Sequence, residues 1–196
     1  MDLPPPPAPV TSRPGADGLA RKAVPVLVLL AAMALVVFGG FATEGVLSRP
    51  VGPPVTVGGL VRVLPLAGWQ DGGSTLDTTS VLLSRGSGNL EIHALASPGD
   101  ATQLLRGYVT RFLEPQARRL SVSSSTQAIR LESGLAAVRI AYVGLFGGVQ
   151  GQIEGEITAV VAAGGVGAVF DGWAPVGLLH YVLDDIHAMV DTAEVG

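Results

Sequence analysis

The fold of this chain is decided by residues 136–173, AAVRIAYVGLFGGVQGQIEGEITAVVAAGGVGAVFDGW. Three runs within this stretch are rich in β-branched and aromatic residues and are predicted to be strands: Ala136–Phe146, Gln150–Ala163 and Val166–Trp173. Glycine pairs at 147–148 and 164–165 separate these runs and indicate short turns. Strands joined by such turns pair antiparallel, so the sequence predicts an antiparallel meander at the centre of the fold.

Further elements are predicted on the N-terminal and C-terminal sides of the meander. Four runs of strand character precede it: Leu60–Leu64, Ser80–Ser84, Asn89–Ala96 and Thr126–Leu131. A capping-box pattern at residues 97–100 predicts a helix that ends near Glu114. Pro175 predicts the start of a second helix, which ends near Thr192. The sequence therefore predicts an α+β domain over residues 60–196, an antiparallel β-sheet with two amphipathic helices packed on it.

Composition limits the classes of function. The 196 residues carry a net charge of −4, and the first 22 hold three basic against two acidic side chains, which leaves −5 on the rest. Nucleic acid is excluded as an expected partner, because its binding depends on clustered Lys and Arg that neutralise phosphates. The chain has no cysteine, which excludes disulfides, thiolate metal sites and thiol nucleophiles.

Residues 23–42, AVPVLVLLAAMALVVFGGFA, carry no charge. As a helix they would span about 30 Å, the thickness of a bilayer core, so we expect a transmembrane helix that contacts the lipid bilayer. Arg21 and Lys22 flank its N-terminal end, which the positive-inside rule places in the cytoplasm. The rival interpretation is a signal peptide cleaved after Ala42, which the length of the apolar run disfavours.

The segments on either side of this helix predict the rest of the topology. Residues 1–22 contain PPPPAP and no apolar periodicity, which indicates a disordered, Pro-rich cytoplasmic tail. Residues 43–59 are rich in Pro and Gly and predict a linker. The expected localisation is the cell membrane, with a single pass and with the domain at residues 60–196 on the extracytoplasmic side.

One charged pattern on the last predicted helix raises the question of a metal. Two imidazoles and two carboxylates recur at i, i+4, i+7 and i+11 and form one column: His180, Asp184, His187 and Asp191. Such side chains are ligands for a divalent metal. The apolar stripe of the same helix lies about 130° away, which favours a solvent-facing column of ordinary side-chain pairs. The spacing leaves metal binding open, and no metal site is predicted.

The sequence predicts no catalytic residue and no cofactor site. Glu154 and Glu156 share one face of a predicted strand, and the opposite face is apolar, so a solvated face is favoured over an acid–base pair. Ser87 lies between two glycines of a hairpin turn and lacks the spacing of a nucleophile elbow. The weakly indicated binding residues are Trp69 and Trp173, which are interpreted either as core and rim aromatics or as the lining of a ligand or partner groove between sheet and helix.

The order of elements also resembles a known family. A Gly-Trp turn, PLAGW at residues 65–69, follows the first strand, and a glycine-marked meander contains ESGLAAVRIAYVGLF (132–146) and GQIEGEITAVV (151–161). Together with the C-terminal helix, this arrangement is similar to the PsbP/LpqN-like superfamily. The resemblance implies an α/β/α-layered domain that is exported or membrane-associated and acts as an assembly factor, accessory subunit or binding protein, and not as an enzyme.

Two hypotheses for function follow from the sequence. The first is a non-enzymatic, membrane-anchored extracytoplasmic module of a bacterial cell envelope, which binds an envelope protein or assembles with a membrane complex. The alternative is an exported domain that binds a small molecule or a lipid, for which an apolar cavity between sheet and helices would be the sign. A hydrolase requires a convergent nucleophile, base and oxyanion donor, and the sequence offers none.

Overall fold

The computed structural model describes residues 52–72, 79–97 and 99–196. The strands in these ranges are β1 Val55–Val57, β2 Val61–Val63, β3 Gln70–Asp71, β4 Ser80–Arg85, β5 Gly88–Ala96, β6 Ala117–Val122, β7 Gln127–Arg130, β8 Ala136–Phe146, β9 Gln152–Val161, β10 Val166–Pro175 and β11 Glu194–Val195. The helices are α1 Ala101–Tyr108, which continues as a π-helical turn at Val109–Leu113 and as α2 Glu114–Gln116, and α3 Leu183–Asp191, which follows a 3₁₀ turn at Leu179–Tyr181.

The larger sheet is antiparallel and has the strand order β3-β4-β5-β10-β9-β8-β6, with β7 also paired to β8. The predicted meander is confirmed as β8, β9 and β10. Gly164 and Gly165 make the turn between the last two strands, with φ of 88° and 79°. Only glycine adopts this left-handed backbone region without strain, which is why the glycine pair marks the turn in the sequence.

Alternate residues of the central strands point to opposite faces of the larger sheet, and each face has its own core. Val169 of β10 packs with Leu105 of α1, whereas Phe170 packs with Ile186 and Met189 of α3. The small sheet, of order β1-β2-β11, adds its valines to the core on the α3 side. The predicted α+β class, a sheet with amphipathic helices packed on it, is therefore confirmed, with one long helix on each face.

Two predicted boundaries are corrected by the structure. The predicted linker at residues 43–59 contains β1, whose Val57 is fully buried and pairs with Val61 of β2, so the domain does not begin at residue 60. The alternation Val-Thr-Val at residues 55–57 forms a strand, although prolines and glycines flank it. The first helix is capped by Asp100, whose carboxylate accepts a hydrogen bond from the backbone N–H of Gln103 at 2.8 Å, and not by Ser97.

The predicted membrane segment is not part of this description. Residues 23–42, the flanking Arg21 and Lys22, and the predicted tail at residues 1–22 lie outside the described ranges. Within residues 52–72, 79–97 and 99–196, no helix combines the length and the apolar character needed to cross a bilayer.

Candidate functional site

A buried carboxylate marks the face of the sheet that α1 covers. Asp171, in the middle of β10, is only 3% exposed. The hydroxyl of Tyr108 donates a hydrogen bond to its Oδ2 at 3.1 Å, and the hydroxyl of Tyr142 donates one to its Oδ1 at 2.9 Å. Burial raises the pKa of Asp171 to about 7, against the opposing effect of the two hydrogen bonds. Near neutral pH this carboxyl group therefore exchanges between its protonated and its ionised form.

The two tyrosines come from different elements and act as hydrogen-bond donors. Tyr108 is the last residue of α1, and Tyr142 lies in β8, two strands away from Asp171. Burial and the neighbouring carboxylate raise the pKa of both phenols above the ordinary value. Because they keep their protons, they hold the carboxylate of Asp171 from two sides.

A glycine in β9 lets Tyr142 span the intervening strand. Gly155 pairs with Tyr142 in the register of β8 and with Trp173 in the register of β10. A Cβ atom at position 155 would lie 2.6 Å from the hydroxyl oxygen of Tyr142. The absence of a side chain at Gly155 therefore leaves the space through which the tyrosine hydroxyl reaches Asp171.

A second acidic residue stands opposite Asp171. Glu91 of β5 is its direct cross-strand partner, and the negative charge of Glu91 contributes to the raised pKa of Asp171. The Nε2 atom of His93 lies 3.3 Å from the Oε1 atom of Glu91 and 3.2 Å from the hydroxyl oxygen of Tyr108. Two carboxylates side by side on a sheet oppose folding. Neighbouring like charges that shift a pKa in this way are often found at functional sites.

A small cavity opens over these groups, and we call it the Asp171 cavity. Its volume is about 120 Å³, and its lining residues include Glu91, Tyr108, Tyr142, Phe146, Asp171 and Trp173. The Glu91 side chain is 36% exposed, and the lining residues Gln116 and Gly147 are exposed as well, so the cavity reaches solvent. Sites for drug-sized ligands measure about 300–1,000 Å³, so this cavity has room only for a functional group.

A larger cavity lies beside the Asp171 cavity, and we call it the α1 cavity. Its volume is about 330 Å³, and its walls include Leu95 of β5, Leu104 of α1 and Phe112 of the π-helical turn. Arg111 also lines it. Tyr108 lines both this cavity and the Asp171 cavity.

The structure places the two predicted tryptophans in different cores. Trp69 is buried on the α3 side, where its Nε1–H donates a hydrogen bond to Oδ2 of Asp185 at 3.0 Å. Trp173 lies on the α1 side and lines the Asp171 cavity. The two indoles therefore do not line one groove, and a contact of either with a ligand or partner stays a prediction.

The predicted solvent-facing column on the last helix is wrong for His187, whose Nε2 lies 2.6 Å from Oε1 of Glu156 on the sheet. The Asp191 side chain is 42% exposed, and its Oδ1 lies 3.9 Å from Arg139 Nη2. His180 belongs to the 3₁₀ turn, and this turn changes the helical phase on which the column was based. No group of three or more His, Asp or Glu side chains within the described ranges is arranged to hold a metal ion.

The two glutamates predicted to lie on a solvated strand face are partly covered. Oε1 of Glu154 accepts hydrogen bonds from the backbone N–H groups of Gly177 and Leu179 at 2.9 and 3.1 Å. Glu156 forms an ion pair with Arg139, with 3.1 Å between Nε and Oε1. Both carboxylates therefore have structural partners on the α3 side, which a one-strand pattern does not reveal.

Of the residues that form the Asp171 site, the sequence singled out only Trp173. One signal was present, because Asp171 is the only charged residue in the strand run VGAVFDGW. A charge in a strand that is apolar on both faces is rarely buried without partners. Its partners lie 63 and 29 residues earlier in the chain, beyond the reach of local patterns.

Comparisons with known proteins inform the fold. No protein-family model matches the sequence, and no curated protein matches it. Among solved structures, the Ran-binding protein Mog1p of Saccharomyces cerevisiae is similar, with a TM-score of 0.54 and 11% identity over 75% of this chain and 96% of that chain. This chain has a Mog1-like fold.

A second similar structure is that of the cyanobacterial PsbP protein (CyanoP) of Synechocystis sp. PCC 6803. Its TM-score is 0.48, with 17% identity over 76% of this chain and 96% of that chain. At 11% identity, the similarity to Mog1p is informative about the fold alone.

Proposed function

We propose that this chain is a non-catalytic binding or accessory module, anchored in a bacterial cell membrane by residues 23–42, whose extracytoplasmic domain binds an envelope protein through the Asp171 cavity. The observation that carries the proposal is the buried Asp171, which is held by two tyrosine hydroxyls and lines a cavity that reaches solvent. Polar groups that converge in a concave site are the usual sign of a binding site.

The chemistry of the cavity supports binding over catalysis. The described residues that line it include no Ser, Thr, Cys or Lys, so they supply no aliphatic hydroxyl, thiol or amine nucleophile. Each carboxylate oxygen of Asp171 already accepts a hydrogen bond, and the Nε2 atom of His93 lies between Glu91 and Tyr108. Asp171 and His93 therefore already have fixed partners within the site.

The fold is compatible with a protein-binding role. Mog1p, which has a similar fold, is a Ran-binding protein. That similarity concerns the fold, so the envelope partner proposed for this chain rests on the apolar segment at residues 23–42 and on the positive charges of Arg21 and Lys22.

The α1 cavity favours a second candidate function, an exported domain that binds a small molecule or a lipid. Its volume of about 330 Å³ falls within the range of small-molecule sites, and Leu95, Leu104 and Phe112 give it apolar walls. A ligand carried through purification of the full-length chain, and identified by mass spectrometry, would favour this candidate.

A pull-down from detergent-solubilised membranes tests the proposed function. The bait is the tagged full-length chain, compared with Trp173→Ala in the cavity and with Tyr181→Ala, a control at an aromatic residue that is 73% exposed. We expect a specific partner with the wild type and with Tyr181→Ala, and at least fivefold less of it with Trp173→Ala. Failure to recover a partner, or equal recovery by all three baits, would refute the proposal.

A further inference from the structure

The Asp171 cavity carries negative charge that its own lining does not balance. Glu91 and Asp171 are cross-strand partners and both line the cavity, whereas no Lys or Arg is found among the described residues that line it. His93, which does not line the cavity, contacts Glu91, with 3.3 Å between its Nε2 and Oε1 of Glu91. An anionic occupant would face two carboxyl groups and is therefore disfavoured.

Four aromatic residues line the cavity together with the two acidic ones: Tyr108, Tyr142, Phe146 and Trp173. The aliphatic part of the lining is Leu113, Val149 and Ile153. The face of an aromatic ring attracts a cation through its quadrupole, and cages of such rings with a carboxylate are suited to organic cations. An apolar occupant would remove Glu91 from water without offering it a partner, which costs free energy.

A metal ion fits this lining less well than an organic cation. Hard divalent cations require about six or more oxygen ligands, or several waters held in octahedral geometry. Both oxygens of Asp171 accept tyrosine hydrogen bonds, and no metal-holding group of His, Asp and Glu occurs in the described ranges. A planar or tetrahedral nitrogen cation needs only one carboxylate and the ring faces.

The volume of the Asp171 cavity and its opening to solvent fit the terminal group of a longer molecule. A volume of about 120 Å³ admits a guanidinium or ammonium group, while the exposed Gln116 and Gly147 at the rim leave room for the rest of the molecule outside. We infer that the Asp171 cavity binds the cationic end of an arginine or lysine side chain presented by a protein partner. This inference rests on the proposed function, since it names the chemistry by which that partner is bound.

Protons should compete with such a cation. The titratable groups that face Asp171 are Glu91 and His93 from β5, Tyr108 from α1 and Tyr142 from β8. A cation favours the ionised carboxyl group, so binding should strengthen as pH rises from 5.5 to 8. The two phenols stay protonated over this range, because burial raises their pKa.

The test uses purified full-length chain in neutral detergent and a matched pair of probes. N-acetyl-arginine amide is titrated by calorimetry against N-acetyl-citrulline amide, which has nearly the same shape without the charge. We expect saturable binding of the arginine probe and at least tenfold weaker binding of the citrulline probe. Glu91→Gln should weaken arginine binding at least fivefold, while Asp184→Asn, at an exposed position of α3, should change it less than twofold. Equal affinities for both probes, or an unaffected Glu91→Gln variant, would overturn the inference.

A competition experiment separates this inference from the proposed function and from a free polyamine. The partner captured by the full-length chain is eluted with each probe and with spermidine. Selective elution by the arginine probe supports the inference. If the partner is captured but neither cation elutes it, the inference fails and the binding module stands. If spermidine binds the chain alone at least tenfold more tightly than any arginine probe or captured partner, a protein side chain is the wrong source of the cation.

Discussion

Gly155 lies beneath the ring of Tyr142, so close that a Cβ atom at position 155 would come within 2.6 Å of the tyrosine hydroxyl oxygen. The hydroxyl reaches Asp171 only because this space is open. Gly155→Ala should therefore displace Tyr142 and lower the free energy of unfolding by about 2–4 kcal/mol, from overpacking and from the lost hydrogen bond.

Urea unfolding of the full-length chain measures this effect, with Gly107→Ala as the control. Gly107 lies within α1, and a Cβ atom there meets no atom within 4 Å. Alanine at that position should stabilise the helix by about 0.5–1 kcal/mol. Equal stability of Gly155→Ala and the wild type would contradict the role given to this glycine.

The raised pKa of Asp171 predicts that stability falls as pH rises. Its pKa is about 7 in the folded chain against an ordinary value of 3.8, so between these values the folded state binds more protons than the unfolded state. The contribution is complete below about pH 4 and is lost as pH rises through 7, with an upper size of about 2–4 kcal/mol. Urea unfolding of the wild type and of Asp171→Asn at several pH values between 4 and 8 measures this effect. The free energy of unfolding should fall less steeply with pH in Asp171→Asn, and equal slopes for the two proteins would contradict the prediction.

The two tryptophans should respond differently to replacement by phenylalanine. Trp69→Phe removes the donor to Asp185, which keeps its ion pair with Arg85, and should cost about 1–2 kcal/mol of stability without affecting the Asp171 cavity. Trp173→Phe should weaken binding in the cavity by a few fold and cost less stability, because Trp173 is only partly buried. Urea unfolding and probe titration of both variants measure the contrast, and loss of binding in Trp69→Phe would refute it.

Replacement of Arg139 should destabilise the fold, because it leaves the carboxylate of Glu156 without its ion-pair partner. Its side chain is 9% exposed and forms an ion pair with Glu156, whose side chain is 18% exposed. Arg139→Leu should cost about 3–5 kcal/mol, since Glu156 loses its cation, whereas the double variant with Glu156→Leu should recover part of that loss. Urea unfolding of the single and double variants gives the coupling energy between Arg139 and Glu156. If the losses of stability from the two replacements simply add, the prediction is wrong.

The topology has its own test, independent of the domain structure. The positive charges of Arg21 and Lys22 predict that the C-terminus lies outside the cytoplasm. A periplasmic-type enzyme reporter fused after Gly196 should be active, and a reporter that is active only inside the cell should be silent. The reverse pattern would exclude the proposed orientation.

The sequence was most informative where structure is local. The bounds of β8, Ala136–Phe146, agree with the prediction, because a long apolar alternation between glycine turns has few alternatives. β6 was not predicted, since a register shift between Ala117 and Arg119 interrupts its alternation. Strands β3 and β11 have two residues each, which is too few to show an alternation of apolar and polar side chains.

The candidate site could not be predicted from the sequence, for a different reason. The hydrogen bonds of Asp171 join β10 to α1 and β8, and nothing in the spacing of Tyr108 and Tyr142 indicates that they meet. The apolar face of α3 agrees with the prediction, since Ile186, Met189 and Val190 are buried. The contact of His187 with Glu156, 31 residues earlier, was not predicted. Long-range pairing is set by tertiary packing, which single-segment patterns do not contain.

Tyr108 is a shared wall of the Asp171 cavity and the α1 cavity, and its hydroxyl is fixed by the carboxyl group of Asp171. An occupant that moves this ring from one side changes the volume available on the other. If occupants of both cavities displace this ring, their binding is thermodynamically linked, and each changes the affinity of the other by the same factor.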